Sequence, residues 1–466
     1  MIFLRMFIVA SRKQKQTILL RRGNKNGDIC CAEEIKLLYL QKNTIMVTKE
    51  TIREIILDNR KEVSKREVVR RDFSFMDNAC YVLIGVRRAG KSYILYQIIK
   101  DLLANGHSWD EIVYINFEDE RLLEMQTADL NKILEVHQMI SDKQPFLFLD
   151  EIQNISGWDK FARRLAENKY TVVVTGSNAK MLSQDVATTL GGKFIIKEIF
   201  PYSFKEFLSA KKVKIDDNSF YATDQRAEIQ KYMREYFYDG GFPESLNYEI
   251  KSDYLTSVYQ KIYIGDIAAR NNIDNIFGLR LMFKKLAENV MHPISFTRLT
   301  NVIKSSATVI STKTVIAYSQ YSQNAFLLLS IRNIAAKLTD RESAPKLYFV
   351  DNGLFSVLAI HSEPLLLENL VAISLLRKYG IDDHVFFYNK NVEVDFVIPE
   401  HDIAIQVCYR LRNNIDDTFR RETSALVSYH KYTGCNNLFI ITYDEEETIE
   451  TDGVVINIVP IWKWML

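Results

Sequence analysis

The stretch Tyr81-Val82-Leu83-Ile84-Gly85-Val86-Arg87-Arg88-Ala89-Gly90-Lys91-Ser92 decides the fold. Its first four residues are large and apolar, the composition of a buried strand. The next eight match G-x-x-x-x-G-K-[ST] and lead into the apolar-periodic run Tyr93 to Leu103, which predicts a helix. A phosphate-binding loop needs strand, glycine loop and helix in that order. Gly85 and Gly90 let the backbone turn its N–H groups inward around phosphate oxygens, and the helix N-terminus adds a positive dipole. The candidate ATP-binding residues are therefore Gly85, Val86, Arg87, Arg88, Ala89, Gly90, Lys91 and Ser92. Lys91 would bridge the β- and γ-phosphates and Ser92 would ligate Mg2+.

Downstream, Pro145-Phe146-Leu147-Phe148-Leu149-Asp150-Glu151 is a buried-strand run that ends in two acids, the form of a Walker B element. Asp150 is the second candidate Mg2+ ligand, acting through water, and Glu151 the group that polarises the attacking water. Tyr170 to Thr175 is another apolar strand. It ends in Gly176-Ser177-Asn178, where Asn178 either orients water and senses the γ-phosphate or caps a helix at Ala179 to Leu182. Glu111 to Asp119 is strand-like as well. Strands and helices thus alternate from residue 80 to about 200, which predicts an α/β fold with a parallel sheet and crossover helices on both faces.

With 466 residues, the chain exceeds one ordinary core, so two to four domains are expected. Sixty Lys and Arg against 59 Asp and Glu leave no global positive field, so any nucleic-acid contact must come from a local patch. The five cysteines, at 30, 31, 80, 408 and 435, contain no CxxC pair and no metal-ligand spacing. They fit a reducing cytoplasm rather than a disulfide framework or a zinc site. No apolar run approaches the ~20 residues that span a bilayer, so no membrane partner is expected. The apolar opening Met1 to Ala10 has its basic residues after it, the reverse of an export signal. Thr48 to Arg60 is a patterned helix with Thr48 as N-cap, and residues 1–45 read as an upstream extension from an early start codon.

From about residue 46 to 466 the chain resembles a prokaryotic family of AAA-superfamily ATPases that carry a C-terminal domain of unknown function. The resemblance rests on Gly85 to Ser92, Leu149-Asp-Glu-Ile-Gln153 with Trp158, Thr175-Gly-Ser-Asn178, Phe200-Pro-Tyr-Ser-Phe-Lys-Glu-Phe207, Gly240-Gly-Phe-Pro-Glu244 and Glu393-Val-Asp395, in the family's order. It implies a P-loop ATPase with ATP and Mg2+ as cofactors. The family usually has a Gly-Arg pair shortly before the Pro-x-Ser-Phe string, and here the pair is Gly192-Lys193. As a charge-stabilising finger Lys193 would keep the charge and lose the planar fork of arginine. Arg163, Arg164 or Arg87 could substitute, and a plain basic residue opening a strand is the simpler reading.

These signals divide the chain into the extension 1–45, a P-loop domain 46–210, a helical lid or connector 211–290, a winged-helix-like unit 291–350 and an α/β domain 351–466. In the winged-helix unit Ser295 to Ile303 and Ser311 to Tyr321 read as helices, and Ala325 to Ile331 and Lys346 to Val350 as wing strands. Thr312, Lys313, Thr314, Tyr318 and Gln320 would lie on the second helix, with Lys313 and Gln320 able to reach DNA. One lysine is little for phosphate contacts, so a protein partner is the stronger expectation.

The last domain resembles a restriction-endonuclease-like core. Asp395 and Gln406 would pair across a hairpin with Glu368 approaching from a helix, but Gln406-Val407-Cys408 replaces the acid-x-Lys strand. An amide is a poor Mg2+ ligand and a thiol cannot act as an ammonium, which argues against nuclease chemistry.

Three functions compete: an ATP-hydrolysing switch acting on nucleic acid or protein, an ATP-gated DNA nuclease, and a non-hydrolysing ATP-binding interaction protein. The candidate catalytic residues are Glu151, Asn178 and Lys193. Oligomeric state stays open, since AAA-type sites are often completed by a neighbouring subunit.

Overall fold

The computed structural model describes residues 47–177, 188–306, 309–337, 341, 344–358, 362–381, 383–412 and 417–466. Helix α1, Lys49–Lys65, starts where sequence placed it, with the Thr48 side chain accepting from the Thr51 N–H. Strand β1, Cys80–Ile84, is buried at every position and runs through the glycine loop into α2, Lys91–Ala104. Next come β2 (Ile112–Asn116), β3 (Phe146–Asp150), α3 (Trp158–Glu167), β4 (Val172–Gly176) and β5 (Phe194–Glu198).

These five strands form one sheet in the order β2-β3-β4-β1-β5, and every neighbouring pair is parallel. Parallel neighbours require crossovers, which α2 and α3 help to supply, and burial on both faces gives β1 and β4 their unbroken apolar runs. The order matters for chemistry, because β4 lies between the strand that feeds the loop and the strand that ends in Asp150. The polar end of β4 therefore falls between loop and acid, in the crevice beyond the strands' carboxyl ends where open α/β sheets bind ligands.

Helices α4 (Phe204–Ala210), α5 (Thr223–Asp239) and α6 (Lys251–Gln260) follow, and α6 continues as a π-helical run, Lys261–Ala269. Gly240-Gly241 ends α5. Gly240 has φ +72° and a Cβ there would lie 1.9 Å from Asp351 Oδ1, so no other residue fits. Beyond lie α7 (Ile276–Ala287), α8 (Phe296–Lys304) and α9 (Thr312–Asn324). Ser295 and Ser311 cap the last two through their side chains.

Strands β6 (Leu328–Asn333) and β7 (Lys346–Phe349) form the antiparallel hairpin expected of a wing. After α10 (Asn352–Ser356) and α11 (Glu363–Tyr379) come β8 (Phe386–Asn389), β9 (Glu393–Ile398) and β10 (Ile403–Val407). Helix α12 (Thr418–Thr433), β11 (Asn437–Thr442), β12 (Glu447–Thr451) and β13 (Val454–Pro460) complete the chain's second sheet.

One boundary needs correction. Strand β6 also pairs in parallel with β8, Arg332 opposite Phe386 and Asn333 opposite Phe387, so the hairpin belongs to an eight-stranded sheet ordered β12-β13-β11-β10-β9-β8-β6-β7. A cut at residue 350 would pass through that sheet. The apolar faces of β6 and β8 explain the merger, since Leu328, Leu329, Ile331, Phe386 and Phe387 are all buried. Residues Thr48–Leu466 form one compact unit, and residues 1–45 lie outside the described residues. Among the described residues no helix is long and apolar enough to cross a membrane.

Candidate functional site

The loop Gly85 to Ser92 wraps tightly against its own strand neighbours. Gly85 takes φ +150°, and a Cβ at that position would stand 2.1 Å from the Ile199 carbonyl oxygen, so the close approach to the residue after β5 demands glycine. Gly90, at φ +97°, precedes the first turn of α2. Lys91 is 4% exposed, and its ammonium donates to the carbonyls of Gly85 and Val86 at 3.1 Å each, with Glu151 Oε1 3.9 Å away. Burial pushes its pKa down, and Glu151 and Asp150 nearby offset part of that.

The acids end β3. Asp150 is fully buried. Its Oδ1 accepts from the Thr175 hydroxyl and its Oδ2 from the Tyr114 hydroxyl at 2.8 Å. Burial and the Glu151 charge raise its pKa, opposed by hydrogen bonds from Thr175, Ser92 and Tyr114. Ser92 lies near enough to Asp150 to lower its pKa, and the two candidate metal ligands make an all-oxygen pair that fits a hard cation such as Mg2+. Glu151 leaves the strand at φ +52°, and its N–H donates to Thr175 Oγ1 at 2.9 Å. Thr175 therefore organises both acids from β4. Sequence quoted it only as part of a string, because a buried threonine in an apolar strand carries no signal of its own.

A second missed residue braces the loop from outside. Arg71 is 9% exposed. Its Nε donates to Glu206 Oε1 at 2.7 Å and its two Nη atoms to the carbonyls of Ala89 at 3.0 Å and Phe200 at 2.9 Å. Burial alone would raise the Glu206 carboxyl, and Arg71, with the Ser203 N–H and Arg377, holds the pKa below its usual value. Arg377, on α11, reaches the other Glu206 oxygen at 3.6 Å, so the loop's backbone connects through two arginines to the helix that carries Glu368.

The remaining loop side chains point to the helical segment. Arg87 makes a bidentate pair with Asp266 in the π-helical run (2.9 and 3.2 Å) and bonds Glu118 at 3.0 Å. Arg88, in left-handed backbone at φ +68°, pairs with Glu244 of the Gly-Gly-Phe-Pro-Glu string. The other basic candidates lie elsewhere: Arg163 pairs with Glu167 on α3, and Arg164 bonds Asn131. Lys193 precedes Phe194, which pairs with Cys80 at the start of β1, whereas the loop leaves the end of β1. Lys193 lies beside residue 79, and at strand rise Gly85 is about 20 Å further along, so Lys193 does not serve the loop of its own chain. Asn178 lies outside the described residues.

Comparison with known proteins agrees with this geometry. An AAA domain family matches residues 77–208, and a domain of unknown function (DUF8612) matches residues 230–364. An uncharacterized protein of Methanocaldococcus jannaschii is 35% identical over 447 residues, covering 93% of this chain and 98% of that protein. The chain belongs to the prokaryotic AAA-superfamily P-loop ATPases with a C-terminal domain of unknown function. This AAA-family chain is also 30% identical to an uncharacterized protein of Haemophilus influenzae, over 87% of this chain and 98% of that one. Among solved structures it is similar to a Walker-type ATPase of Pyrococcus abyssi (TM-score 0.36, 12% identity, 64% of this chain, 99% of that one). The Aeropyrum pernix ORC1 protein in complex with DNA is a further match (TM-score 0.27, 12% identity, 68% and 93%).

The AAA-family chain holds a second polar cluster in its eight-stranded sheet. Strands β9 and β10 pair as the hairpin that sequence predicted. The Asp395 N–H donates to Gln406 Oε1 at 2.8 Å and the Val407 N–H to Asp395 Oδ2 at 2.9 Å. Glu368 is fully buried and accepts from the Tyr348 hydroxyl at 2.7 Å.

The expectation that this site lacks a lysine is corrected. Lys346, the first residue of β7, is fully buried, with its ammonium 3.6 Å from Glu368, 3.6 Å from Glu393 and 3.4 Å from Asp395. It comes from a strand distant in sequence, which spacing around Gln406 could not reveal. Burial raises the Glu368 pKa to about 7, with Lys346 opposing and Asp395 adding to the rise. Among the described residues no group of three or more His, Cys, Asp or Glu is placed to hold a metal.

On α9, Lys313 and Gln320 are exposed, Thr312 and Thr314 half-buried, and Tyr318 buried and so unavailable to a partner.

Proposed function

We propose that the chain is a Mg2+-dependent ATPase that works as a nucleotide-driven switch on a nucleic-acid or protein partner. The observation that carries this reading is the pairing of both loop arginines with the helical segment, Arg87 with Asp266 and Arg88 with Glu244. Triphosphate entering the loop offers these guanidiniums competing oxygens, so occupancy of the loop alters what holds the helical segment. Lys91 exchanges the Gly85 and Val86 carbonyls for β- and γ-phosphate oxygens, and Ser92 and Asp150, the latter through water, would hold the metal. Mg2+ when bound supplies neutralisation of the phosphate charge. Glu151 takes the proton of the attacking water. Lys313, Ile316 and Gln320, exposed on α9, are side chains that a partner of either class would meet.

Thermal unfolding with and without MgATP tests the binding step. At 100 times Kd the nucleotide should stabilise the chain by about 2.7 kcal/mol. Lys91→Ala should abolish that stabilisation, and an unchanged response in this variant rejects the site. Glu151→Gln should bind ATP with wild-type affinity and hydrolyse it at least ~10²-fold more slowly.

The switch has its own test. Asp266→Asn removes Arg87's bidentate carboxylate and leaves only Glu118, so MgATP should bind about three- to tenfold more tightly, because phosphate competes with one carboxylate in place of two. Backbone amide exchange in residues 261–269 should rise on MgATP addition in wild type and start high in the variant. Exchange that ignores nucleotide in wild type would reject the coupling.

A further inference from the structure

Two buried polar atoms at the end of the parallel sheet have no hydrogen-bond partner among the described residues: Gln153 Oε1 and Ser177 Oγ. Both follow strands that carry the site, Gln153 shortly after β3 and Ser177 directly after β4, and these strands are neighbours. Buried acceptors and donors are ordinarily satisfied, and an orphan in an otherwise well-bonded site marks a place for water or ligand.

Gln153 stands in a specific relation to Glu151. The left-handed backbone at Glu151 starts a single 3-10 turn, Ile152–Asn154, and brings the two side chains together, Gln153 Nε2 donating to Glu151 Oε2. A carboxylate only accepts, so the amide must present its NH2 to Glu151 and keep its oxygen as a free acceptor. The other carboxylate oxygen, Oε1, faces the Lys91 ammonium at 3.9 Å. The Glu151 backbone is fixed in turn by Thr175. Glu151 is thus held between the lysine that meets the γ-phosphate and an amide whose acceptor is unused.

We propose that Gln153 is the positioning residue for the attacking water. Its NH2 fixes the Glu151 carboxylate, and its Oε1 accepts one O–H of the water whose other O–H points to Glu151. This rests on the reading of the chain as an ATP hydrolase and assigns the water site within it. In the step, the water oxygen bonds to the γ-phosphorus as the bond to the β,γ-bridging oxygen breaks. The electron pair leaves with ADP, and the water proton passes to Glu151. Fixing the water in line lowers the barrier without adding to ground-state ATP affinity, since Gln153 touches only the water and the base.

The test compares wild type, E151Q, Q153A and Q153M, the last keeping the length and bulk of glutamine while removing both hydrogen bonds. Q153M and Q153A should lower kcat by about 30- to 100-fold with KM for ATP changed less than about twofold. In calorimetry they should bind ADP as wild type does, and ADP with fluoroaluminate, which mimics the transferring phosphoryl group, at least about tenfold more weakly. A purely structural glutamine would move the ADP and fluoroaluminate affinities together.

The proposal is overturned if Q153M keeps wild-type kcat and fluoroaluminate affinity while E151Q loses turnover. It is equally overturned if only KM rises. If wild type and E151Q turn over ATP at the same background rate, the hydrolase reading itself falls, and the role of Gln153 with it.

Discussion

Arg71→Ala should destabilise the chain by about 3–5 kcal/mol, the usual loss when one partner of a buried ion pair is removed. The alanine leaves the Glu206 carboxylate without its strongest partner, and the carbonyls of Ala89 and Phe200 lose their donors. Arg377 remains, but at 3.6 Å it reaches the other oxygen only. Arg71→Lys keeps the charge and cannot span three acceptors in different directions, so it should recover only part of the loss. Adding Glu206→Gln to Arg71→Ala removes the stranded charge and should restore about half. Urea unfolding of the four proteins measures all of this. Because Ala89 belongs to the loop, ATP affinity should fall in both Arg71 variants. Full ATP affinity in a folded Arg71→Ala protein would show that the brace has no bearing on the nucleotide site.

Lys346→Met should cost a similar amount, about 3–5 kcal/mol at pH 8, but with a strong dependence on pH. In wild type the Glu368 pKa stands at about 7 against an unfolded value of 4.5. A raised carboxyl pKa favours the folded state below pH 4.5, and that advantage is lost as pH rises through 7. Without the Lys346 ammonium, Glu368 and Asp395 face each other with no counter-charge and the Glu368 pKa climbs further. The deficit of the methionine variant should therefore shrink as pH falls from 8 through 7 and level off below about pH 6, where Glu368 carries a proton in both folded proteins. The double variant with Glu368→Gln should be nearly flat over the same range. Urea midpoints at pH 5, 6.5 and 8 distinguish these curves. A deficit independent of pH would mean that Lys346 matters for packing alone.

The parts of the molecule legible in sequence are those whose signal is local. Gly85 to Ser92 and Pro145 to Glu151 each carry strand, turn and chemistry in one continuous string, so the loop, its helix and the acid-bearing strand were placed from the residues. The two helices that sequence began at Ser295 and Ser311 likewise form, and those serines cap them through their side chains.

What stayed hidden was contact between distant segments. Arg71 is one arginine among many until the fold brings Glu206 to it across 135 residues of sequence. Asp266 lies in a stretch that reads only as amphipathic helix, and its pairing with Arg87 spans 179 residues. Lys346 looked like the first residue of a wing, and only the order of the second sheet shows that it neutralises Glu368 and Asp395. Lys193 shows the complementary case, since a position close to a motif in sequence lies at the opposite end of a parallel strand from its own chain's loop.

The short seam between β6 and β8 governs how this protein can be divided. A chain cleaved near residue 350 would part Lys346 and Tyr348 from the carboxylates they serve and bare the hydrogen-bonding edge of β8 to whatever strand came next. Neither piece would keep a neutral interior, and both would tend to aggregate. A fragment that keeps this sheet whole must therefore begin ahead of β6 and run through β13, and it still leaves Asp351 without the Gly241 N–H and Arg377 without Glu206.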